Sequence, residues 1–440
     1  MTSHLASPVT ETDPADASDV TAAAQAAAAV AALGASGDER EGDIAVVLGT
    51  RPEIIKLAGV IHALGRRARV VWTGQHYDAD LSKNFFAHFG LADPHVRIDG
   101  VGGTHRGAQI GTMISSMAHL FAENAPRAVI VQGDTNTTSA GAQAAHYCGA
   151  KVLHVEAGLR SRDRAMPEEI NRQVVGVLSD LHCAATAENA DNLIAEGVDA
   201  HRIMVTGNTV VEAVHESKPS DERAAALLHA LGTPDGAFVL ATLHRPENTD
   251  DPRRLGAILH ELGALPVPVL MPLHPRTRAR IDAFGVQVAP TVRLLPPIDH
   301  PGFLALAQRA DLIVSDSGGV QEEVTVLKKP LVVVRNSTER PESVTAGFAT
   351  LVRPGPEVGD ACRRLLADPD LPARLAATPS PYGDGLASLR IVAAAVALAD
   401  GRDQALPGDL LPTGGPAEPR TEVPVAVAVR AGLRIEAVAA

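Results

Sequence analysis

The chain has 440 residues, a formal charge of −13, 45% hydrophobic residues and only 3% aromatics. That length and apolar content suit two or three domains with full cores, and the negative charge excludes nucleic acid as the main partner, because phosphate backbones need clustered Lys and Arg. Cys148, Cys183 and Cys362 form no Cys-x-x-Cys pair and the histidines no His-Glu-x-x-His spacing, so neither a disulfide framework nor a zinc site is indicated, and a reducing cytoplasm is the expected compartment. Residues 1–42, with an alanine run from Ala22 to Ala32, lack the basic start of a signal peptide. The run is too short to span a bilayer, so no membrane association is expected. That segment and the Pro-, Gly- and Ala-rich residues 401–440 are expected to be disordered.

Between these ends, short β-branched runs alternate with helical stretches. The runs are Ile44–Leu48, Val70–Thr73, Ala128–Val131, Val152–Val155, Leu181–Ala185 and Ile203–Val205, then Phe238–Leu243, Val267–Met271, Val292–Leu295, Leu312–Val314 and Leu331–Val334. Continuous apolar runs separated by helices predict parallel sheets covered on both faces. The fold class is therefore α/β, with two doubly wound Rossmann-like domains joined between Val210 and Asp235. Ligands of such sheets bind outside the carboxyl ends of the strands, which here means the cleft between the domains.

The residues at those strand ends are unusual. Ile44–Leu48 is followed by Gly49-Thr50-Arg51-Pro52-Glu53, with Lys56 about a turn into the next helix, whose face is Ile54, Leu57, Ile61 and Leu64. Ala128–Val131 leads to Asp134, Val152–Val155 to Glu156, and a helix beginning near Pro167 carries Glu168 and Arg172, spaced to pair with one another. Asp134, Glu156 and Glu168 place three carboxylates near one cleft wall, an arrangement that raises carboxyl pKa values and suits acid/base work. In the second half, Phe238–Leu243 ends in His244-Arg245 and Val267–Met271 runs into His274. Leu312–Val314 enters Ser315-Asp316-Ser317-Gly318-Gly319-Val320-Gln321-Glu322-Glu323. A strand running through a glycine pair into a helix start exposes backbone N–H groups at the positive end of a helix dipole, which is a phosphate seat. Glu323 then lies within reach of a ribose hydroxyl. The same residues admit a plainer reading: an ordinary glycine turn at Gly318-Gly319, solvated charges for Arg51 and Lys56, an N-cap for Asp134, and salt bridges for Glu156 and Glu168.

Taken together these pieces resemble the non-hydrolysing UDP-N-acetylglucosamine 2-epimerases. The likeness runs in consistent order from about residue 44 to 400. It includes Gly133-Asp134-Thr135, His154 to Arg160, Pro167 to Arg172, Gly207-Asn208-Thr209-Val210, Glu339-Arg340-Pro341-Glu342 and Tyr382-Gly383-Asp384-Gly385. The resemblance implies a GT-B-like fold in a homodimer. It implies a first domain over 43–212, a UDP-binding domain over 213–385, and a last helix at about 386–400 returning to the first domain. It assigns acid/base roles to Asp134, Glu156, Glu168 and His244, with Arg172 in support. UDP would be held by Arg51, Ser317, Gly318 and Gly319 at the diphosphate, Glu323 at the ribose and Phe303 near the uracil. Arg340, Lys56, Arg245 and His274 complete the substrate site.

The implied reaction is elimination of UDP to 2-acetamidoglucal followed by re-addition, which converts UDP-GlcNAc to UDP-ManNAc and calls for no nicotinamide or metal. Most of the stabilisation goes to departing UDP. Two departures are visible. Members activated by substrate use glutamines at an adjoining site, of which Gln75-His76-Tyr77-Asp78 retains one but has Asp78 in place of another and Gly102-Gly103-Thr104 lacks a third, and the loop Ser161 to Met166 resembles a branch whose sugars vary. A hydrolysing 2-epimerase releasing ManNAc and UDP, a GT-B glycosyltransferase, and an idle nucleotide-sugar-binding protein are the competing readings.

Overall fold

A computed structural model describes residues 41–75 and 86–402. The first sheet contains β1 (Ile44–Leu48), β2 (Ala68–Trp72), β3 (Val96–Arg97), β4 (Ala128–Gln132), β5 (Lys151–Ala157), β6 (Leu181–Ala184) and β7 (Ile203–Val205). The second contains β8 (Val239–Thr242), β9 (Val269–Pro272), β10 (Val292–Leu295), β11 (Leu312–Ser315), β12 (Leu331–Val334) and β13 (Ala349–Val352). Their orders are β3-β2-β1-β4-β5-β6-β7 and β10-β9-β8-β11-β12-β13, and the observed strand pairs in both are parallel. Each sheet starts at a central strand, grows to one side, then crosses over and grows to the other, which is the doubly wound topology.

The strand boundaries follow the apolar runs closely. Two edge strands, β3 and β13, lie outside the predicted runs. Val96–Arg97 is too short to show a pattern, and Ala349–Val352 is only half-buried in its middle, so neither carries the continuous apolar signal of an inner strand.

Six helices shape the cleft and the joint: α1 (Arg51–Leu64), α2 (Asn136–Tyr147), α3 (Pro167–Leu178), α4 (Val210–Ser217), α5 (Gly318–Leu327) and α6 (Ala387–Ala399). In α1, Ile54, Leu57 and Leu64 are buried and Ile61 packs partly against the same core. Helix α6 lies on α1 and on the face of β1, β4 and β5, with Ile391, Val392 and Ala395 in that core. The chain thus ends its second unit and returns to the first. Helix α4, between the sheets in sequence, packs on both α1 and α5.

The two crossing segments are tied together. Asn208 N donates to Tyr382 O at 2.8 Å, and Glu212 accepts from Ser388 N at 2.8 Å and Ser388 Oγ at 2.6 Å at the start of α6. Gly207 has φ +83°, and a Cβ there would stand 3.1 Å from Tyr382 O, so the joint needs glycine at that turn. Most of the two tails and residues His76 to Asp78 lie outside the described residues. Among the described residues no helix is long and apolar enough to cross a membrane.

Candidate active site

A cavity of about 700 Å³ opens between the carboxyl ends of the two sheets, within the usual range for a small-molecule site. It is built from both points where the strand order reverses. The β1–β4 reversal contributes Thr50, Glu53, Lys56 and Gln132 to Asn136, and the β8–β11 reversal contributes His244, Arg245 and Ser317 to Val320. The cavity brings Lys56, Asp134, Glu156, Glu168 and Arg172 on one wall opposite His244, Arg245, His274, Gly318, Gly319, Glu323 and Arg340 on the other.

Asp134 sits on the loop between β4 and α2. Arg172 Nε and Nη2 donate to its Oδ2 at 2.9 and 2.6 Å. The expected Glu168–Arg172 pair does not form. Arg172 Nη1 instead donates to Glu169 Oε2 at 2.7 Å, because Glu169 is turned inward and held by Ser161 N and Arg162 N. Glu168 is left lining the cavity. The Asp134 loop is fixed from below: Asn171 Nδ2 donates to Asp134 O at 2.9 Å, and Thr135 Oγ1 donates to Glu53 Oε1 at 2.7 Å. Glu53 Oε2 also accepts from Gly49 N at 2.9 Å and Thr50 N at 2.7 Å. Burial pushes the Glu53 carboxyl up to about 6 even against these hydrogen bonds.

Glu156 has φ +63° and stands where the β5–β6 register slips between Val155 and Ala157. A bulge with a left-handed non-glycine residue carries local strain on the order of 1–3 kcal/mol, and such strain clusters at functional sites. Here it turns the side chain of a strand residue to Lys56, whose Nζ donates to Oε1 at 2.9 Å and Oε2 at 2.8 Å. Gln132 Nε2 also donates to Oε2. Burial raises the Glu156 pKa; Lys56 and Arg340 pull it down and Glu322 pushes it up.

On the other wall, Ser317 caps α5 without a side-chain hydrogen bond, leaving first-turn N–H groups pointed at the cavity. A Cβ on Gly318 would stand 2.7 Å from Arg340 Nη1, whereas one on Gly319 would meet nothing within 4 Å. Asp316 is buried and accepts from His244 N at 3.1 Å, Arg245 N at 3.0 Å and Asn248 Nδ2 at 3.0 Å. His244 Nδ1 lies 3.1 Å from its Oδ1. Burial would raise the Asp316 pKa, but the His244 bond and charge and the other donors hold it below its ordinary value. An ionised Asp316 fixes the His244 ring and leaves Nε2 for the cavity. Burial lowers the His274 pKa, with His244, Arg276 and Arg51 adding to it.

Two predicted ligand residues lie outside the cavity lining. Phe303 does not line the cavity; it is half-buried against Val210, Val211, Val214, Leu304 and Tyr382, because its helix (His300–Arg309) seats its apolar face on α4. Arg51 is outside the cavity lining as well, at the start of α1. Glu323 lines the cavity and is paired with His300 Nε2 at 3.0 Å. Residues not singled out from sequence include Gln132, Glu53, Asn171, Glu322 and Glu339. Gln132 begins the same strand-end run as Asp134 and could have been found there. Burial would raise the pKa of Glu339, but Arg340 and Arg335 hold it well below the usual carboxylate range. Among the described residues no group of three or more His, Cys, Asp or Glu could hold a metal ion.

Two Rossmann-like units closing a polar cleft over carboxylates and a glycine helix start define a two-domain sugar-nucleotide enzyme. Residues 60–395 match the family described as UDP-N-acetylglucosamine 2-epimerase. A UDP-N-acetylglucosamine 2-epimerase of Methanocaldococcus jannaschii is 36% identical over 364 residues, 79% of this chain and 97% of the relative. A UDP-2,3-diacetamido-2,3-dideoxy-D-glucuronate 2-epimerase of Pseudomonas aeruginosa is 39% identical over 316 residues, covering 70% of this chain and 88% of the relative. The crystal structure of the M. jannaschii UDP-GlcNAc 2-epimerase in complex with UDP-GlcNAc and UDP superposes with a TM-score of 0.72 at 35% identity, covering 79% of this chain and 98% of that one. The chain belongs to the UDP-N-acetylglucosamine 2-epimerase family, and it is an epimerase of UDP-sugars.

Proposed function

We propose that the enzyme inverts C2 of a UDP-N-acetylhexosamine without hydrolysis, interconverting UDP-GlcNAc and UDP-ManNAc. The observation that carries this reading is the single cavity in which Asp134, Glu156 and Glu168 face the uncapped start of α5. A carboxylate takes the proton from C2. The C2–H electron pair becomes the C1=C2 double bond of 2-acetamidoglucal, and the C1–O bond breaks with its pair leaving on UDP. UDP oxygen then re-adds to C1 while a carboxylic acid on the opposite face protonates C2. The sequence is redox-neutral. Glu156, with its pKa raised, and Asp134 and Glu168 carry the two proton transfers. His244, oriented by Asp316, presents Nε2 as a further acid/base group, and the backbone N–H groups of Gly318 and Gly319 stabilise the charge on departing UDP, with Arg245 and Arg340 beside them.

In this reading the acid/base wall belongs to a first domain over 43–212 and the nucleotide wall to a second over 213–385. The enzyme is a cytoplasmic homodimer. The free thiols of Cys148, Cys183 and Cys362 support a reducing compartment, and Tyr147 and Val177, 75% and 80% exposed on the first unit, support an interface between two copies. The P. aeruginosa relative favours a second substrate, a 2,3-diacetamido uronate carried by UDP. The test is incubation of the pure protein with each UDP-sugar, with products identified by NMR. A mixture of C2 epimers still attached to UDP is expected. Free sugar plus UDP as the main product would overturn the non-hydrolysing reading.

A further inference from the structure

Two ion pairs among the buried charges beneath the cavity cross between the two units. Lys56 Nζ donates to Glu322 Oε2 at 2.8 Å, and Arg340 Nη2 donates to Glu156 Oε1 at 3.2 Å. Arg340 Nε also donates to Glu322 Oε1 at 2.7 Å, and Lys56 holds both oxygens of Glu156. The four side chains therefore form a closed circuit of alternating sign. None is more than 9% exposed, so solvent does little to screen it. Lys56 and Glu156 come from α1 and β5, Glu322 and Arg340 from α5 and the segment ahead of Pro341. Separating the units would break the circuit at both crossings.

Glu322 is the member that touches nothing but this circuit and the joint. Its side chain is fully buried and does not line the cavity. Beyond Arg340, its Oε1 accepts from Asn208 Nδ2 at 3.2 Å, on the crossing segment next to α4. We propose that Glu322 is a positioning residue that holds Lys56 and Arg340 on Glu156, so that the acid/base geometry is complete only when the cleft is closed. The proposal rests on Glu156 being an acid/base group.

The electrostatics run the same way. The charged groups facing Glu156 are Lys56 from α1, Glu322 from α5 and Arg340 from the segment ahead of Pro341; Gln132 on β4 is neutral. For Glu322, burial is outweighed by Arg340 and Lys56, and its pKa lies below the ordinary value. Glu322 thus stays ionised, while Glu156 is raised by burial and by Glu322 and is the carboxyl in the circuit that takes up a proton. Without the Glu322 charge, two cations bear on Glu156 alone and hold it ionised.

The test compares Glu322→Gln with Glu322→Asp in the full chain, measuring kcat, KM, the pH profile of kcat, and UDP affinity by calorimetry. A misplaced reacting group costs up to about 10²-fold, so Glu322→Gln is expected to lose at least ~10-fold in kcat with UDP affinity near wild type and a profile moved to lower pH. Glu322→Asp keeps the charge and is expected to keep the wild-type profile with intermediate kcat. Wild-type kcat in Glu322→Gln, or kcat and UDP affinity falling together with an unmoved profile, overturns the proposal. If Glu322→Gln does not fold, Glu322→Asp decides: reduced kcat at unchanged UDP affinity supports the circuit, and wild-type kcat overturns it. Glu156→Gln separates the two claims. If it is active, the acid/base reading of Glu156 fails; if it is inactive while Glu322→Gln is wild type, only the circuit fails.

Discussion

Replacing Asp316 by Asn should disable His244 without removing it. Asp316 is 0% exposed and accepts from two backbone N–H groups, Asn248 and the His244 ring. An amide keeps one acceptor oxygen and turns the other into a donor. The Nδ1–H of His244 then meets an N–H, and the ring relieves the clash by shifting its proton to Nε2, which converts the cavity-facing nitrogen from acceptor to donor. A hydrogen bond to a charged group contributes about 1.5–3 kcal/mol, so losing the one to the His244 ring costs roughly 1.5–3 kcal/mol of stability. The wrong tautomer should cost about 10²-fold in kcat, the lower end for general acid/base catalysis. Nitrogen-15 NMR of the imidazoles reports the tautomer, urea unfolding the stability, and NMR of the product mixture the rate. An unchanged tautomer with wild-type kcat would refute the claim that Asp316 orients a functional His244.

The other predictions concern the carboxylates, the phosphate seat and the joint. Asp134→Asn, Glu156→Gln and Glu168→Gln should each lower kcat by about 10²–10⁴-fold while calorimetry finds UDP binding retained; near-normal turnover in all three would mean the carboxylates are structural. Gly319→Val adds a side chain that meets no protein atom within 4 Å, so it should leave the melting temperature alone and weaken UDP at least ~10-fold, or 1.4 kcal/mol. Gly318→Ala, whose Cβ would press on Arg340 Nη1 at 2.7 Å, should lose both affinity and stability. Burial lifts the Glu212 carboxyl to about 7. The folded chain therefore holds a proton there more tightly than the unfolded chain. The associated stability is fully present below about pH 4.5 and is lost as pH rises to about 7. The shift corresponds to about 3 kcal/mol, and partial exposure of the side chain reduces it to roughly 2. Glu212→Gln should flatten urea midpoints across that window and exceed wild type at pH 8; parallel curves would exclude Glu212 as the group responsible.

The strands of both sheets could be read in the sequence because inner parallel strands are continuous apolar runs, and β1, β7, β10 and β12 begin and end where those runs do. The strand-end residues could be read because the topology sends every such end to one cleft. Side-chain partnership was less legible. Spacing alone makes Glu168 and Glu169 nearly equivalent partners for Arg172, and only the inward turn of the Ser161–Arg162 backbone selects Glu169. Glu322 adjoins Glu323, and its burial follows from which face of α5 meets α1 and α4, a tertiary fact with no signature in a run of two glutamates. The resemblance puts Phe303 near the uracil, whereas its ring sits on an inward helix face and fills the core there.

The most direct test of the elimination mechanism is proton NMR of UDP-GlcNAc incubated with the enzyme in D₂O. A carboxylate that takes the C2 proton exchanges it with solvent before the opposite face is protonated, so the manno epimer should form with deuterium at C2, and the gluco substrate should acquire deuterium as the equilibrium is approached. Epimerisation with the original C2 proton retained in the product would contradict it.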